Sequence, residues 1–436
     1  MQRKTTRPRL VQAMMDMLTL PDLRRKILFT LGILVVFRFV AHVPLPGVDI
    51  VALQEFFEGN LLFGMLDLFS GGAMTSFSIA AMGVYPYITA SIIMQLLVPV
   101  IPRLQALSQE GELGSQKINR ITHLLTVPLA ALSGYGMLTL LRAQGVTIEP
   151  LGSLTIASIV ITMVAGTIFL VWLGELITER GIGNGISIII FGGIVAGLPE
   201  IVGRGIVTAV AGQPEGLIAY IILALAMLVL IVIFVEAHRR IPVQYARSTF
   251  RGGRMYRQSG STYIPLRVNT AGMIPLIFAL ALMQLPGTIA TFFMNPTGAD
   301  PNFWNTISNV FQANTAVYQG LYFALVIGFA YFYTMVIFEQ MKLPQTLQQQ
   351  SGFIPGVRPG KATADYLNAI IKRITFGGAL FLAVVAIMPF IAQKLTHVEA
   401  LVIQSTAMLI AVGVALDTMK QLEAQLTMRR YEGFLK

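Results

Sequence analysis

Long apolar runs alternate with short polar stretches along most of the chain. A helix that crosses the hydrocarbon layer of a bilayer needs about 20 predominantly apolar residues. Arg38 interrupts the first such run, and the fifth is short and rich in glycine, so these two are the least regular. Ten runs reach or approach the required length, and we number them as spans 1 to 10: 24–43, 75–98, 118–141, 154–178, 184–203, 216–236, 268–293, 315–338, 373–392 and 399–417. The pattern predicts an all-α polytopic membrane protein with ten transmembrane helices.

Composition also favours a membrane protein. Of the 436 residues, 55% are hydrophobic and 12% are charged, and the mean hydropathy is +0.71. Such values are typical of polytopic membrane proteins. The chain has no cysteine, which excludes disulfides and thiolate metal sites, and its four histidines lack the spacing of metal ligands. We therefore expect no metal and no cofactor.

The distribution of basic residues predicts the orientation of the spans. If the N-terminus lies inside, cytoplasmic segments hold 27 of the 31 Lys and Arg, and the outer loops hold only Arg142, Arg204 and Lys394. Cytoplasmic loops of membrane proteins carry an excess of Lys and Arg. Both termini are therefore predicted to be cytoplasmic. The net charge of +10 follows from this asymmetry and does not require a nucleic-acid partner.

One sequence motif occurs twice, as GVYPYITASIIMQLL at 83–97 and GMIPLIFALALMQL at 272–285. Identical residues stand at six offsets: Gly83/Gly272, Pro86/Pro275, Ile88/Ile277, Met94/Met283, Gln95/Gln284 and Leu96/Leu285. The copies lie in spans 2 and 7, so an odd number of crossings makes them run in opposite directions. This pattern indicates an inverted repeat, with spans 1–5 and 6–10 as two halves around a seam. The alternative is a chance similarity between two apolar helices.

The residues near the predicted seam favour a channel over an ion-coupled transporter. Such transporters need ionisable groups at mid-depth, and spans 2, 4, 5, 7, 8 and 10 have none near their centres. For any single aliphatic residue there, packing against lipid or core is the simpler interpretation. As a set in a pore, however, aliphatic residues form a constriction that excludes water and ions. The candidates in spans 2, 5, 7 and 10 are Val84, Ile88, Ile190, Ile194, Ile277 and Ile410.

Four longer stretches make the chain resemble the SecY family, the central channel subunits of the bacterial Sec protein-translocation system. They are GVYPYITASIIMQLL (83–97), ITERGIGNGISIIIFGGIVAGLP (177–199), PLRVNTAGMIP (265–275) and GFIPGVRPGKATADYL (352–367). The resemblance covers essentially the whole chain. It implies a clam shell of two five-helix halves that crosses the bacterial cytoplasmic membrane many times.

The resemblance also assigns a pore ring and a plug. The six aliphatic candidates match the positions of the family's pore ring, with valine at one and isoleucine at five. The plug, a short re-entrant helix on the outer side of the ring, corresponds to about residues 61–74. From the residues alone, this stretch is too short to span, and an amphipathic hairpin at the membrane interface is the alternative. The assigned plug residues are Leu61, Leu62, Phe63, Gly64, Met65, Leu66, Asp67, Leu68, Phe69 and Ser70.

Spans 2 and 7 resemble the two jaws of the family's lateral gate, with spans 3 and 8 behind them. Pro86 and Pro275 are expected to remove backbone hydrogen bonds and to let these helices bend. Thr89 and Asn269 match family positions in a polar patch across the gate. Ordinary kinks and hydrogen bonds between neighbouring helices are the alternative.

The loop between spans 6 and 7, residues 237–267, is rich in arginine and has no acidic residue. We expect it to form a hairpin with a turn at Gly252–Gly253. Arginine makes planar contacts with phosphate and carboxylate groups, so ribosomal RNA and an acidic protein surface both fit this loop. The family implies both partners, the ribosome and the SecA ATPase. The candidate contact residues are Arg239, Arg240, Arg247, Arg251, Arg254 and Arg257.

The loop between spans 8 and 9, residues 339–372, contains GVRPGKAT at 356–363. It does not match a phosphate-binding loop, because three residues instead of four separate the glycines and Ala362 replaces the required Ser or Thr. Gly356 and Gly360 are instead expected to shape a rigid tip. That tip displays Arg358, which matches a functionally sensitive arginine of the family.

These expectations combine into one organisation and one function. We expect a passive, gated conduit for unfolded polypeptide, without enzymatic activity, that opens across the membrane for preproteins and sideways for hydrophobic segments. The resemblance implies SecE and SecG as companion subunits, SecA or the ribosome as motor, a preprotein or signal peptide as cargo, and surrounding membrane lipid. A small-solute transporter and a structural membrane scaffold are the alternatives. The predicted divisions are a cytoplasmic amphipathic segment (1–23), an N-terminal half (24–203), an outer hinge loop (204–215), a C-terminal half (216–417) and a cytoplasmic tail (418–436).

Overall fold

Helices dominate the structure, a computed structural model in which the following residues are described: 20–59, 67, 70–143, 145–146, 152–210, 214–251, 254–293, 302–311, 315–396 and 405–434. In the first part of the chain the helices are α1 Pro21–Val40, α2 Ile50–Gly59, α3 Tyr85–Val100, α4 Pro102–Gln109, α5 Glu112–Ala143, α6 Ser153–Arg180 and α7 Gly185–Val210. In the second part they are α8 Pro214–Glu236, α9 Ile274–Phe293, α10 Phe303–Val310, α11 Ala316–Met341, α12 Leu343–Gln349, α13 Lys361–Thr396 and α14 Ser405–Phe434.

Several of these helices suit a membrane. Within the described residues, five are long and apolar enough to cross one: Glu112–Arg142, Ser153–Arg180, Ile218–Glu236, Ala316–Gln349 and Lys361–Ala392. A sixth arises if α3 and α4, which meet at an angle of 98°, form one broken span. The described part of the structure therefore supports five or six apolar spanning helices, whereas the sequence predicts ten.

The repeated motif marks a helix start in both of its copies. Gly83 and Gly272 have positive backbone φ angles of 55° and 65°. Glycine adopts this left-handed conformation without the steric cost that a side chain brings. Helix α3 begins two residues after Gly83, and α9 begins two residues after Gly272. The sequence expectation placed these starts ten and six residues too early, because the turns before them are equally apolar.

The first hydrogen bonds of the two helices also match. The Ile88 N–H donates to the Val84 carbonyl at 3.0 Å, and the Ile277 N–H donates to the Met273 carbonyl at 3.4 Å. These donors and acceptors stand at the same offsets from their glycines. The likeness between the two stretches therefore extends from sequence to backbone geometry.

The repeated prolines do not kink their helices. Pro86 and Pro275 are the second residues of α3 and α9. N–H groups in the first helical turn have no partner within the helix, so proline there removes no hydrogen bond, and its fixed φ favours the helix start. The predicted bending at these two prolines was wrong.

The segment before α3 is folded without a helix. Leu45 N–H donates to the Phe77 carbonyl at 2.8 Å, and Ile79 N–H donates to the Val43 carbonyl at 3.0 Å. These bonds tie the segment to the turn that follows α1. Phe77 is 1% exposed and belongs to a core cluster formed with α2, α5 and α6. The segment is therefore part of the packed structure.

A three-stranded sheet corrects the all-α expectation. Strands β1 His238–Arg251 and β2 Arg254–Arg267 pair antiparallel over fourteen residues each. Residues Gly252–Gly253 connect them and lie outside the described residues. The short strand β3 Gly352–Phe353 pairs with the other edge of β1. The hairpin predicted for the arginine-rich loop is thus confirmed, and a strand from the loop between α12 and α13 extends it.

The chain divides into two compact packing units. The first comprises residues 1–212 and 410–436, and the second comprises residues 213–409. The boundary falls inside the expected hinge loop, 204–215. Helix α7 continues to Val210, however, so most of that loop is helical. Residues from Ile410 onward pack with the first unit, whereas the sequence assigned span 10 to the C-terminal half.

Replacement of Gly272 tests the helix-start motif. Ala at a φ of 65° is strained, so we expect Gly272→Ala to lower the free energy of unfolding by about 1–2 kcal/mol. Gly328→Ala is the matched control, because Gly328 lies within α11 and a Cβ there meets no atom within 4 Å. Alanine is the better helix former, so that variant should be neutral or more stable. Unfolding in detergent measures both, and equal stability of the two variants would contradict the motif's role.

Candidate functional site

The six ring candidates lie on α3, α7, α9 and α14, or directly before α3. Five of them are buried: Val84, Ile190, Ile194, Ile277 and Ile410 are 1%, 3%, 7%, 6% and 2% exposed. Ile88 is half-buried. Burial excludes a lipid-facing position for the five, and it is compatible both with a packed core and with a closed constriction. Ile277 belongs to the second packing unit and the other five to the first.

Among the gate candidates, Thr89 forms its hydrogen bond within its own helix. The Thr89 hydroxyl donates to the Tyr85 carbonyl of α3 at 3.1 Å. A Thr hydroxyl used in this way bonds within its helix, unlike the bond across the gate that the sequence suggested. Asn269 is half-buried in the turn before α9. Pro86 and Pro275, as described above, initiate helices.

A polar network that the sequence analysis missed joins α3 to the helices beside it. The Tyr87 hydroxyl donates to the Asn119 side-chain oxygen at 3.2 Å, and the Asn119 amide donates to Glu175 at 3.2 Å. His123 Nε2 lies 3.1 Å from the same Glu175 oxygen. Asn119 and His123 are four residues apart on α5, a spacing that places both on one face and could have signalled the pair. The network fixes the helix that carries Ile88 against α5 and α6.

The plug candidates fall mostly outside the described residues, which include only Asp67 and Ser70 of the ten. The Asp67 carboxylate accepts hydrogen bonds from the backbone N–H of Met74 at 2.9 Å and of Thr75 at 3.1 Å. Burial raises the pKa of the Asp67 carboxyl above its ordinary value, and these bonds oppose the rise only in part. These bonds tie Asp67, in the middle of the plug stretch, to Met74 at its end and to the following Thr75.

The base of the arginine hairpin and the loop with Arg358 share one small core. Alternate residues of β1 point inward, so Ile241 and Val243 are 2% and 0% exposed. They pack with residues from the end of α11, from α12 and from the start of α13. The remaining buried members of this cluster are Phe338, Leu347, Ile354, Leu367 and Ile370. The two predicted partner-binding loops are therefore one body at their base.

The arginines at the base of the hairpin are exposed. Arg239 and Arg240 both face solvent, and the Arg240 guanidinium lies 4.8 Å from the centre of the Tyr263 ring across the strands. This cation–π contact orients one cation on the sheet surface. In the backbone register, Arg251 pairs with Arg254 at the far end. The side chains of Arg247, Arg251, Arg254 and Arg257 lie outside the described set.

The loop tip holds Arg358 outward. Gly356 and Gly360 have φ angles of 83° and 98°, a backbone that favours glycine. The Thr363 hydroxyl donates to the Arg358 carbonyl at 2.9 Å, and this bond helps to fix the shape of the tip. Arg358 itself is exposed. Within the described residues, no three His, Asp or Glu side chains are grouped in a way that could hold a metal ion.

Comparison with known sequences points to one family. A profile of the SecY family matches residues 78–419. The chain is 42% identical over 435 residues to the protein translocase subunit SecY of Streptomyces scabiei, covering 95% of this chain and 98% of the relative. It is 44% identical over 427 residues to the protein translocase subunit SecY of Bacillus subtilis, covering 95% and 97%.

Solved structures share the fold. One is described as the structure of a protein conducting channel, with a TM-score of 0.63, 18% identity and 92% of both chains covered. A second concerns the plug domain of the SecY protein, which stabilizes the closed state of the translocation channel and maintains a membrane seal, with a TM-score of 0.62, 18% identity and 92% of both chains covered. A third is Sec61 in the canine ribosome-channel complex from the endoplasmic reticulum, with a TM-score of 0.63, 19% identity and the same coverage. At these identities the likeness shows the fold alone.

Truncation of Ile354 tests whether the arginine hairpin and the Arg358 loop share a core. Ile354 is 2% exposed, so Ile354→Ala should lower the stability of this base by about 2–5 kcal/mol. Trypsin should then cleave faster both at the hairpin arginines and at the exposed Lys361, which stands in the same loop as Arg358 and, unlike it, is not followed by proline. Phe353→Ala is the control, since that neighbouring side chain is 36% exposed and its truncation should leave cleavage unchanged. Faster cleavage at one loop only would contradict a common base.

Proposed function

Because this chain belongs to the SecY family, we propose that it is the channel subunit through which unfolded preproteins cross the membrane and hydrophobic segments leave sideways into it. The observation that carries this function is the match to protein translocase subunits at 42% and 44% identity over 95% of the chain. The membrane is the bacterial cytoplasmic membrane, as the relatives in bacteria suggest. Energy for transport comes from a partner, and the chain itself is not an enzyme.

We propose ten membrane spans with both termini in the cytoplasm. The excess of Lys and Arg in the cytoplasmic segments supports this orientation. The matched helix starts at Gly83 and Gly272 support two halves of opposite direction. The boundary of the packing units at residue 212 lies where the two halves should join.

The seal of the resting channel is an aliphatic ring closed by a plug. The burial of Val84, Ile190, Ile194, Ile277 and Ile410 supports the ring, since uncharged side chains exclude ions by removing water from a narrow passage. The plug is about residues 61–74. The jaws of the lateral gate are α3 and α9, whose second residues are Pro86 and Pro275. Thr89 and Asn269 stand at the family's polar-patch positions beside these jaws.

The arginine hairpin and the Arg358 loop, both cytoplasmic, bind the partner that drives transport. Exposed Arg239, Arg240 and Arg358 stand on the common base, where a large partner can contact both loops at once. Arginines at such a surface bind phosphates of ribosomal RNA or carboxylates of a protein. We propose the ribosome and the SecA ATPase as these partners, with SecE and SecG as companion subunits in the membrane.

Reconstituted transport tests this function. The chain is purified with SecE and SecG, placed in proteoliposomes, and supplied with SecA, ATP and a preprotein. Preprotein should become protected from added protease only when ATP is present. The double variant Arg251→Glu with Arg254→Glu should reduce protection about tenfold or more, because each lost charge-assisted contact weakens docking of the motor.

The control for this experiment is Arg142→Glu, an exposed charge reversal on α5 far in sequence from both loops. It should transport like the parent. No protected preprotein with the parent would contradict the channel function. Transport and SecA binding by the double variant equal to those of the parent at physiological salt would contradict the role of the hairpin.

A further inference from the structure

Arg38 contacts the end of the plug stretch, residues 61–74. It lies in the last turn of α1 and is the only Lys or Arg between Lys26 and Arg103. The sequence analysis treated it as an irregularity in span 1. In the structure the Arg38 guanidinium donates a hydrogen bond to the backbone carbonyl of Gly71. The side chain therefore reaches 33 positions along the sequence to a specific peptide group.

Gly71 is packed so closely that its carbonyl has a fixed place. Its φ angle is 71°, and a Cβ added there would lie 2.7 Å from Gly193 Cα and 3.1 Å from the Phe37 ring. Phe37 precedes Arg38 on α1. Gly193 lies on α7, directly before the ring candidate Ile194. The peptide held by Arg38 thus sits against the helix that carries part of the proposed ring.

Asp67 holds the same stretch from its other side. Its Oδ1 accepts from the Ser70 hydroxyl at 3.0 Å and from the N–H groups of Met74 and Thr75 at 2.9 and 3.1 Å. Its Oδ2 accepts from the Thr75 hydroxyl at 3.1 Å. The Asp67 carboxylate thus accepts hydrogen bonds from the backbone N–H groups of Met74 and Thr75, which have no helical carbonyl partner.

Arg38 and Asp67 form hydrogen bonds with different backbone groups. Non-helical backbone at membrane depth is tolerated only where its N–H and C=O groups find partners. The guanidinium of Arg38 serves a carbonyl, and the carboxylate of Asp67 serves the amides. We call residues 70–79 the root segment, since they include the end of the plug stretch and lead towards α3.

We propose that Arg38 and Asp67 together anchor the root segment and thereby hold the plug in its sealing position, with Arg38 as the positioning residue. This inference rests on the proposed channel function. Arg38 acts through the root segment and does not touch the cargo. Loss of its bond frees the Gly71 peptide from α1, and the plug then spends more time away from the ring.

The proposal is tested by the resting ion conductance of proteoliposomes that contain the complete complex. Arg38→Gln should raise this conductance about tenfold or more, since a hydrogen bond from a charged group is lost, and a factor of ten corresponds to 1.4 kcal/mol. Arg38→Lys retains a charged donor and should stay within about threefold of the parent. Arg142→Gln removes a similar charge from an exposed site on α5 and should conduct like the parent.

Two Asp67 variants separate hydrogen bonding from charge. In Asp67→Asn the side-chain oxygen can accept the bonds now made to Oδ1, and the amide can donate to the Thr75 hydroxyl, which itself donates to the Gly72 carbonyl at 3.0 Å. That variant should remain sealed. Asp67→Ala leaves the amides of Met74 and Thr75 without their acceptor and should leak like Arg38→Gln.

A local readout distinguishes release of the root segment from general damage. The chain has no cysteine, and Ser78 is fully buried in the root segment, so Ser78→Cys introduces a single isosteric thiol. Its alkylation in the resting complex should speed up about tenfold when Arg38→Gln is added, while SecA-driven transport and the unfolding temperature stay close to those of the parent.

Unchanged conductance and alkylation in Arg38→Gln would overturn the anchor, as would equal leakage of Arg38→Lys and Arg38→Gln. Those results leave the channel function intact as long as the parent complex transports preprotein. A parent that fails to transport contradicts the proposed function instead.

Discussion

A bilayer offers no hydrogen-bond partners to the protein backbone, and that constraint organises this chain. Helices satisfy their own peptide groups, so any break at membrane depth needs partners from elsewhere. Residues 71–84 lack a helix, and their hydrogen-bond partners include the turn after α1, the guanidinium of Arg38 and the carboxylate of Asp67. A second break precedes α9. Both end at a left-handed glycine, and both lead into a helix that carries a ring candidate in its first turn.

The same logic connects structure to transport. An uninterrupted apolar helix packs against its neighbours along its whole length. A helix that begins inside the protein leaves space beside its first turn, through which a polypeptide can pass. Three ring candidates, Val84, Ile88 and Ile277, stand at the starts of α3 and α9. The arginine hairpin and the Arg358 loop rise from one hydrophobic base, and this base packs against the ends of α11 and α13.

The sequence alone predicted a largely helical membrane fold, the hairpin and the correspondence of the two motifs, because these depend on local patterns of hydrophobicity, charge and glycine. It did not predict the sheet to which the hairpin belongs. It wrongly predicted that Pro86 and Pro275 bend their helices, because proline kinks a helix only beyond its first turn. It also placed the starts of α3 and α9 too early, because the hydropathy of the preceding turns resembles that of a helix. Contacts between distant residues were also out of reach. The bond from Arg38 to Gly71 spans 33 residues and that from Asn119 to Glu175 spans 56, and no periodic signal links such positions. The pairing of β3 with β1 is nonlocal in the same way.

The central claim is that a polypeptide passes through the uncharged waist formed where these helices begin. Photo-crosslinkers at Ile88, Ile190, Ile277 and Ile410, with a secretory chain stalled during transport, test it most directly. All four positions should crosslink to the stalled chain, whereas a crosslinker at Leu124, which is 76% exposed on α5, should label lipid. Crosslinks from the four positions to lipid alone, while the chain is stalled and protected, would contradict the account.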